Sequence, residues 1–139
     1  SSIRDTLTGI YNRNGFTGFS LECFKSAKES ESKKLLIIAI DMDGLKKIND
    51  TYGHVEGDSA LIIMANAISS ACTSHEYPAR VGGDEFYIIG TDEYTPDDIE
   101  HKKNKIKRYL DEYNSTSEKI MKLKTVPAYY ALNLTECIR

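Results

Sequence analysis

The sequence lacks several features that mark large classes of protein. No apolar run approaches the ~20 residues of a membrane-spanning helix, and no signal-peptide core or initiator methionine is present. Basic residues are not in excess, because 18 Lys and Arg stand against 21 Asp and Glu. The formal net charge of −3 therefore argues against a nucleic-acid partner or contact with an anionic membrane. We expect a single cytoplasmic domain, residues 1–139, cut from a longer multidomain protein.

Familiar cysteine, metal and nucleotide motifs are also missing. Cys23, Cys72 and Cys137 are odd in number and widely spaced, which fits neither a disulfide framework nor a zinc site, so we expect reduced thiols. Neither a Walker lysine motif nor a dinucleotide glycine fingerprint occurs. An EF-hand beginning at Asp41 fails, because the glycine would fall at loop position four instead of six.

The apolar pattern predicts an α/β (α+β) domain with helices packed on one mainly antiparallel sheet. Leu35 to Ile40 is continuously apolar, which predicts a central strand at about 35–41 that is buried on both faces. The other expected elements are a helix at 12–31, a short helix followed by a loop containing Gly53 and Gly57, a helix at 58–71, a hairpin at 77–90, a helix from 96 and a strand at 126–134.

Side-chain spacing predicts how three of these helices face the sheet. Apolar side chains recur at steps of three and four in each helix, and they predict its core-facing stripe. In the last helix, Thr95 is the expected N-cap, Pro96 takes the first position, and the basic side chains are expected to face solvent. The predicted inward residues are Phe16, Phe19, Cys23, Phe24 and Ala27; Leu61, Met64, Ala65, Ile68 and Cys72; and Ile99, Ile106, Tyr109, Leu110 and Tyr113, with Lys102, Lys103, Lys105, Lys107 and Arg108 outward.

Two acidic pairs lie where such a sheet would bring them together. Asp41 and Asp43 follow the central strand, and Asp84 and Glu85 lie on the hairpin turn, where we expect Gly82-Gly83 to supply positive φ angles. Converging carboxylates are suited to Mg²⁺ or Mn²⁺ carried by nucleotide phosphates.

The loop after Asp43 adds groups that suit a nucleotide. Lys46 and Lys47 are cations for phosphates, and Asn49 with Asp58 can pair with a purine that presents both donors and acceptors, as guanine does. The residues alone leave two readings open, a metal-dependent nucleotide site or a solvated acidic surface.

Four stretches, which together cover about residues 4 to 90, stand out in the sequence. They are a turn at 5–13 (DTLTGIYNR), a segment at 41–50 (DMDGLKKIND), a segment at 51–58 (TYGHVEGD) and the hairpin motif at 82–86 (GGDEF). In order and spacing they resemble the N-terminal turn, the metal and phosphate segment, the guanine segment and the signature of the GGDEF family, the diguanylate cyclases.

The resemblance implies a role for each matching residue. Asp41 and Asp84, with the carbonyl of Met42, would bind Mg²⁺ or Mn²⁺. Glu85 would support the acidic turn, and Asp84 would help to deprotonate the ribose 3′-hydroxyl. The remaining substrate-binding roles fall to the phosphate residues Gly44, Leu45 and Lys46, the guanine residues Asn49 and Asp58, and the glycines Gly82 and Gly83, which would let the hairpin lie against GTP.

The implied reaction condenses two GTP into cyclic di-GMP and releases two pyrophosphates. One site would hold one GTP, so a homodimer is required, and a sensory or receiver domain is expected in the parent protein. The alternative is an inactive module of the same fold that binds GTP or acts as a regulatory or interaction domain.

Two departures from the family pattern qualify these expectations. Many members carry an Arg-x-x-Asp product-inhibition site where this chain has Thr73-Ser74-His75-Glu76, so we predict no such site and an ordinary surface His75. After Thr125 nothing resembles the family's Ser-Ile-Gly-Tyr-like strand or the phosphate-binding helix that follows it. The region after about residue 125 is therefore predicted to be atypical or truncated.

Overall fold

The computed structural model describes the backbone of residues 2–116 and 124–132 and the side chains of residues 2–42 and 44–113. Helices pack on both faces of one antiparallel sheet, which confirms the predicted fold class. None of the helices in these residues combines the length and apolarity needed to cross a membrane. The elements in chain order are α1 (Arg13–Lys28), β1 (Lys34–Asp43), α2 (Leu45–Tyr52), α3 (His54–Ala71), β2 (Glu76–Arg80), β3 (Glu85–Asp92), α4 (Pro96–Thr116) and β4 (Lys124–Leu132).

The sheet has the order β2-β3-β1-β4, and every neighbouring pair is antiparallel. The predicted central strand is confirmed, since β1 pairs with β3 on one side and with β4 on the other. It extends past the predicted end to Asp43, because β4 pairs with it as far as Lys124. Pro127 lies on the edge strand β4, where a residue without a backbone N–H is tolerated.

Alternate side chains of β1 enter two separate cores. Leu36, Ile38 and Ile40 join the larger core, which includes side chains of α3 and α4, and Met42 continues this row to the end of the strand. Leu35 belongs to the smaller core on the α1 side. Burial on both faces explains why β1 is continuously apolar, and it holds the end of the strand in place.

The N-terminal turn lies along the free side of β2. The amide of Tyr11 donates to the carbonyl of Pro78 at 3.1 Å, and the amide of Arg80 donates to the carbonyl of Tyr11 at 2.8 Å. Asn12 then caps α1 by accepting from the amide of Gly15 at 3.0 Å. The turn is thus tied to the same hairpin that carries the acidic pair.

The predicted boundaries and inward face of α1 need two corrections. The helix ends at Lys28 and not near residue 31. Cys23 and Ala27 are buried as predicted, but Phe24 is 43% exposed. Phe16 and Phe19 pack against the smaller core, but Phe24 is not part of it, so the prediction for Phe24 is wrong.

The predicted loop between the second and third helices is reduced to one residue. Gly53 has φ = 91° and serves as both the C-cap of α2 and the N-cap of α3. Because glycine alone enters this region readily, one residue is enough to break the helix and start another. Gly57 and Asp58 therefore lie inside α3. The prediction that one of them caps this helix is wrong.

Lys102 on α4 is buried, which contradicts the prediction that it faces solvent. Its ammonium group pairs with the Glu76 carboxylate at 2.5 Å, and the two side chains are 8% and 1% exposed. The hydroxyl of Tyr94 and the amide of Thr73 also donate to this carboxylate, at 2.7 and 2.8 Å. The prediction failed because the acidic partner lies on β2, far away in sequence.

A neighbouring thiol, that of Cys72, is also affected by burial in this region. Burial raises the pKa of Cys72 to about 12, with a further contribution from the negative charge of Glu76 that Lys102 partly offsets. Cys72 and Cys23 are both free thiols, and Cys137 lies outside the described residues. At neutral pH the Cys72 thiol is protonated and hence a poor nucleophile.

Most other predictions for α4 are confirmed. Thr95 and Asp98 cap the helix reciprocally, because the amide of Thr95 donates to the Asp98 carboxylate at 2.8 Å and the amide of Asp98 donates to the Thr95 hydroxyl at 3.4 Å. Ile99, Ile106 and Leu110 are buried.

Candidate functional site

The end of β1 and the acidic hairpin meet at one edge of the sheet. The amide of Met42 donates to the carbonyl of Asp84 at 3.2 Å, and Asp41 is the register partner of Glu85. Met42 has a buried side chain, whereas Asp41, Asp84 and Glu85 are exposed. Three of the predicted acidic residues are therefore brought together on the surface, with the strand end fixed by the core beneath it.

The expected conformation of the two hairpin glycines is wrong. Positive φ angles among the described glycines occur at Gly9, Gly44 and Gly53, and neither Gly82 nor Gly83 is one of them. The reason is the loop length, since four residues separate β2 from β3, whereas positive φ is characteristic of two-residue turns.

The two hairpin glycines have different surroundings. A Cβ on Gly82 would lie 3.1 Å from Oε2 of Glu85, whereas a Cβ on Gly83 would meet nothing within 4 Å. Gly82 thus leaves room for the Glu85 side chain, and Gly83 lies at an open surface where another molecule can approach.

Arg80 braces the hairpin loop from within the same hairpin. Its Nε donates to the carbonyl of Gly83 at 3.0 Å, and its Nη1 lies 3.2 Å from both carboxylate oxygens of Asp5. Arg13 adds a hydrogen bond from Nη2 to the carbonyl of Val81 at 3.0 Å. Two arginines therefore fix the loop that precedes Asp84.

Asp5 is held as a carboxylate by its neighbours. Burial raises its pKa, but hydrogen bonds from the hydroxyl and amide of Thr8, at 2.6 and 3.0 Å, and the charge of Arg80 outweigh burial. The pKa of Asp5 consequently lies below its ordinary value of 3.8. Asp5 thus favours folding in its charged form, and this contribution is lost as the pH falls through the lowered folded-state pKa.

Replacing Asp5 by asparagine should lower the free energy of unfolding by about 1 kcal/mol at pH 7, because a partly buried charged hydrogen-bond pair is lost. The difference from the wild type should shrink below pH 3.8, where the wild-type carboxylate begins to be protonated. Urea unfolding of the two proteins at several pH values measures the loss at pH 7 and its decrease at lower pH. Asp111→Asn, at an exposed position on α4, serves as the control. A loss for Asp5→Asn that does not change with pH would contradict the assigned role of the Asp5 charge.

The predicted phosphate segment begins where β1 passes into α2. Gly44 has φ = 83° and precedes α2 as its N-cap, and its carbonyl accepts from the amide of Ile48 at 2.9 Å. Ile48 is buried and fixes the helix, while Lys46 is exposed. The first turn of α2, which carries the exposed Lys46, follows directly on the end of β1. The first amides of a helix have no partner within it, so this arrangement is favourable to phosphate.

The two predicted guanine residues lie on adjacent helices. Asn49 on α2 is half-buried and contacts Gly57 on α3, and the next residue, Asp58, is exposed. The structure therefore places an amide and a carboxylate on neighbouring turns of α2 and α3, in the part of the fold that follows Gly44.

The donors available to a metal ion are all oxygen atoms. The carboxylates of Asp41 and Asp84 and the carbonyl of Met42 are oxygen donors of the kind that Mg²⁺ and Mn²⁺ prefer, so the chemistry of these residues fits such an ion. Among the side chains that the structure describes, which exclude Asp43, no group of three His, Cys, Asp or Glu residues is arranged to hold one.

Three residues that support this site were given no role there by the sequence analysis. Asp5 and Arg80 are 75 positions apart, and no local pattern pairs them. Gly57 looked like part of a loop, and its contact with Asn49 depends on the packing of two helices. Two of them nonetheless had a signal. Asp5 begins the N-terminal turn at 5–13, and Arg80 stands one residue before a glycine pair whose carbonyls an arginine can bind.

Comparison with known proteins identifies the family. The family model described as "Diguanylate cyclase, GGDEF domain" matches residues 2–130. The probable diguanylate cyclase DgcJ of Escherichia coli is 45% identical over 91 residues, which are 66% of this chain and 18% of that protein. The chain spans less than half the length of this and other curated relatives that it matches.

Two solved structures have the same fold. The GGDEF domain of DgcB from Caulobacter crescentus, in complex with c-di-GMP, is similar with a TM-score of 0.83 and 23% identity over 94% of this chain and 78% of that chain. The GGDEF domain of TpbB (YfiN) from Pseudomonas aeruginosa gives a TM-score of 0.75 and 26% identity over 92% and 73% of the two chains. The chain therefore belongs to the GGDEF domain family, the family of the diguanylate cyclases that make cyclic di-GMP.

Proposed function

We propose that this domain condenses two molecules of GTP into cyclic di-GMP and releases two pyrophosphates. The observation that supports this best is the hydrogen bond from Met42 to Asp84, with the pairing of Asp41 and Glu85. It places two acidic segments, distant in sequence, beside the start of α2.

The residues divide the work between binding and proton transfer. The amides at Gly44 and Leu45 and the ammonium group of Lys46 bind the phosphates. Asn49 and Asp58 recognise guanine, and Gly82 and Gly83 let the hairpin approach the nucleotide. Asp84 accepts the proton of the ribose 3′-hydroxyl, and Glu85 supports the acidic turn beside it.

Asp41, the carbonyl of Met42 and Asp84 would hold Mg²⁺ or Mn²⁺. When bound, the ion supplies charge neutralisation for the phosphate oxygens. Each 3′-oxygen forms a bond to the α-phosphorus of the other nucleotide, and the bond to pyrophosphate breaks. Because one site holds one GTP, two copies of the domain must face each other, and a sensory or receiver domain in a longer cytoplasmic protein would control how often they do.

Incubating the protein with GTP and Mg²⁺ or Mn²⁺, and separating the products by chromatography, tests this proposal. We expect cyclic di-GMP and pyrophosphate in a ratio of one to two. Below the dimer dissociation constant, the rate should rise faster than linearly with protein concentration. ATP in place of GTP is the control. GTP binding without product at high protein concentration would contradict the cyclase activity and identify a GTP-binding regulatory module.

A further inference from the structure

Gly57 occupies a helical position where its backbone has no need of glycine. It lies in the first turns of α3, is buried, and is not among the glycines with positive φ. Glycine is a poor helix former compared with alanine, so a helical glycine requires another explanation. Gly18 on α1 is a useful contrast, because a Cβ there would meet nothing within 4 Å.

The explanation lies in the contact with Asn49. A Cβ built on Gly57 would lie 2.8 Å from Cγ of Asn49 and closer still to its Oδ1. Cβ atoms do not approach other heavy atoms this closely, so alanine at position 57 would force the amide of Asn49 to move. Since the obstructing atoms belong to the end of a side chain, rotation of Asn49 can relieve the clash without moving either helix.

The backbone of Asn49 is fixed, but its amide group is uncommitted. Its carbonyl accepts from the amide of Gly53 at 2.8 Å, and the preceding residue, Ile48, is buried in the core. None of the side-chain hydrogen bonds among the described residues involves the Asn49 amide group, which lies against Gly57. Its orientation is therefore set by packing against Gly57, and its donors and acceptor remain available.

We propose that Gly57 is a positioning residue that determines base specificity, because it lets Asn49 lie flat against α3 with its amide directed for guanine. This inference rests on the proposed GTP site. An amide offers both a donor and an acceptor, and guanine and adenine present opposite patterns, so a rotated amide loses its discrimination between them. Gly57 touches no nucleotide in this scheme and acts only through Asn49.

Calorimetric titration of GTP and ATP, each with Mg²⁺, into variants at both positions tests the proposal. Gly57→Ala should decrease the ratio of the affinity for GTP to the affinity for ATP by about tenfold, which corresponds to the loss of one hydrogen bond. Asn49→Ala should narrow it to the same degree. Adding Gly57→Ala to Asn49→Ala should change the ratio less than about twofold, because the effect passes through the missing amide. Gly18→Ala is the matched control and should leave the ratio unchanged.

The outcomes separate this inference from the proposed function. A wild-type protein that does not prefer GTP to ATP would overturn both. A wild-type preference that survives in folded Gly57→Ala, or falls equally in the Asn49→Ala background, would overturn this inference alone. Thermal unfolding checks the fold of each variant, and a Gly57→Ala protein that fails to fold would also overturn it, because the contact would then serve stability.

Discussion

Replacing Lys102 by alanine is expected to lower the free energy of unfolding by about 3 kcal/mol, because the Glu76 carboxylate would remain buried without its cation. The Glu76 side chain is only 1% exposed, so its charge is poorly solvated and depends on its partners in the protein. Tyr94 and Thr73 would still donate to the carboxylate, which keeps the loss near the lower end of the range for such pairs. Urea denaturation followed by circular dichroism measures the change.

Two further variants make this prediction specific. Lys107→Ala removes an exposed lysine from the same helix and should change the free energy of unfolding by less than about 0.5 kcal/mol. Glu76→Gln combined with Lys102→Met removes both charges and keeps an acceptor for Tyr94, so it should cost less than Lys102→Ala alone. If Lys102→Ala and Lys107→Ala lowered the free energy of unfolding equally, the ion pair between Lys102 and Glu76 would contribute nothing to stability.

Asp84→Asn is expected to reduce the rate of cyclic di-GMP formation by about 10³-fold or more, because a charged group that stabilises the transition state would be lost. The backbone carbonyl of residue 84, which accepts from Met42, is unchanged by this substitution. The hairpin should therefore keep its place, and the free energy of unfolding should match that of the wild type. Product formation, resolved by chromatography, gives the effect.

Glu93→Gln provides the control for Asp84→Asn. Glu93 is exposed just after the other end of β3, so its substitution should leave the rate near that of the wild type. A similar loss of activity in both variants would point to a general effect of surface charge. An Asp84→Asn protein with full activity would show that the assignment of Asp84 to metal binding and proton transfer is wrong.

The sequence predicts those parts of the fold that depend on local patterns. The continuous apolar run of β1, the hairpin around the glycines and the Thr95 cap of α4 each follow from neighbouring residues, and all three are confirmed. Because β1 and β3 must pair for the sheet to form, the convergence of Asp41 with the hairpin also follows from these elements.

The remaining features depend on which elements happen to pack together. Lys102 falls in a row of basic residues, and only the position of Glu76 on β2 makes it a buried cation. The brace from Arg80 to Asp5 joins positions 75 residues apart. The prediction of positive φ angles for the hairpin glycines failed for another reason, because a glycine pair does not reveal whether its loop has two or four residues.

The contacts of Tyr11 with Pro78 and Arg80 have a consequence for the solubility of the protein. β2 lies at one end of the sheet order, and an uncovered strand there would offer its amides and carbonyls to another molecule. By pairing with Pro78 and Arg80, Tyr11 uses one carbonyl and one amide of this rim. Pro78 itself has no amide hydrogen to offer. The segment that braces the acidic hairpin thus also shields the sheet from intermolecular strand addition.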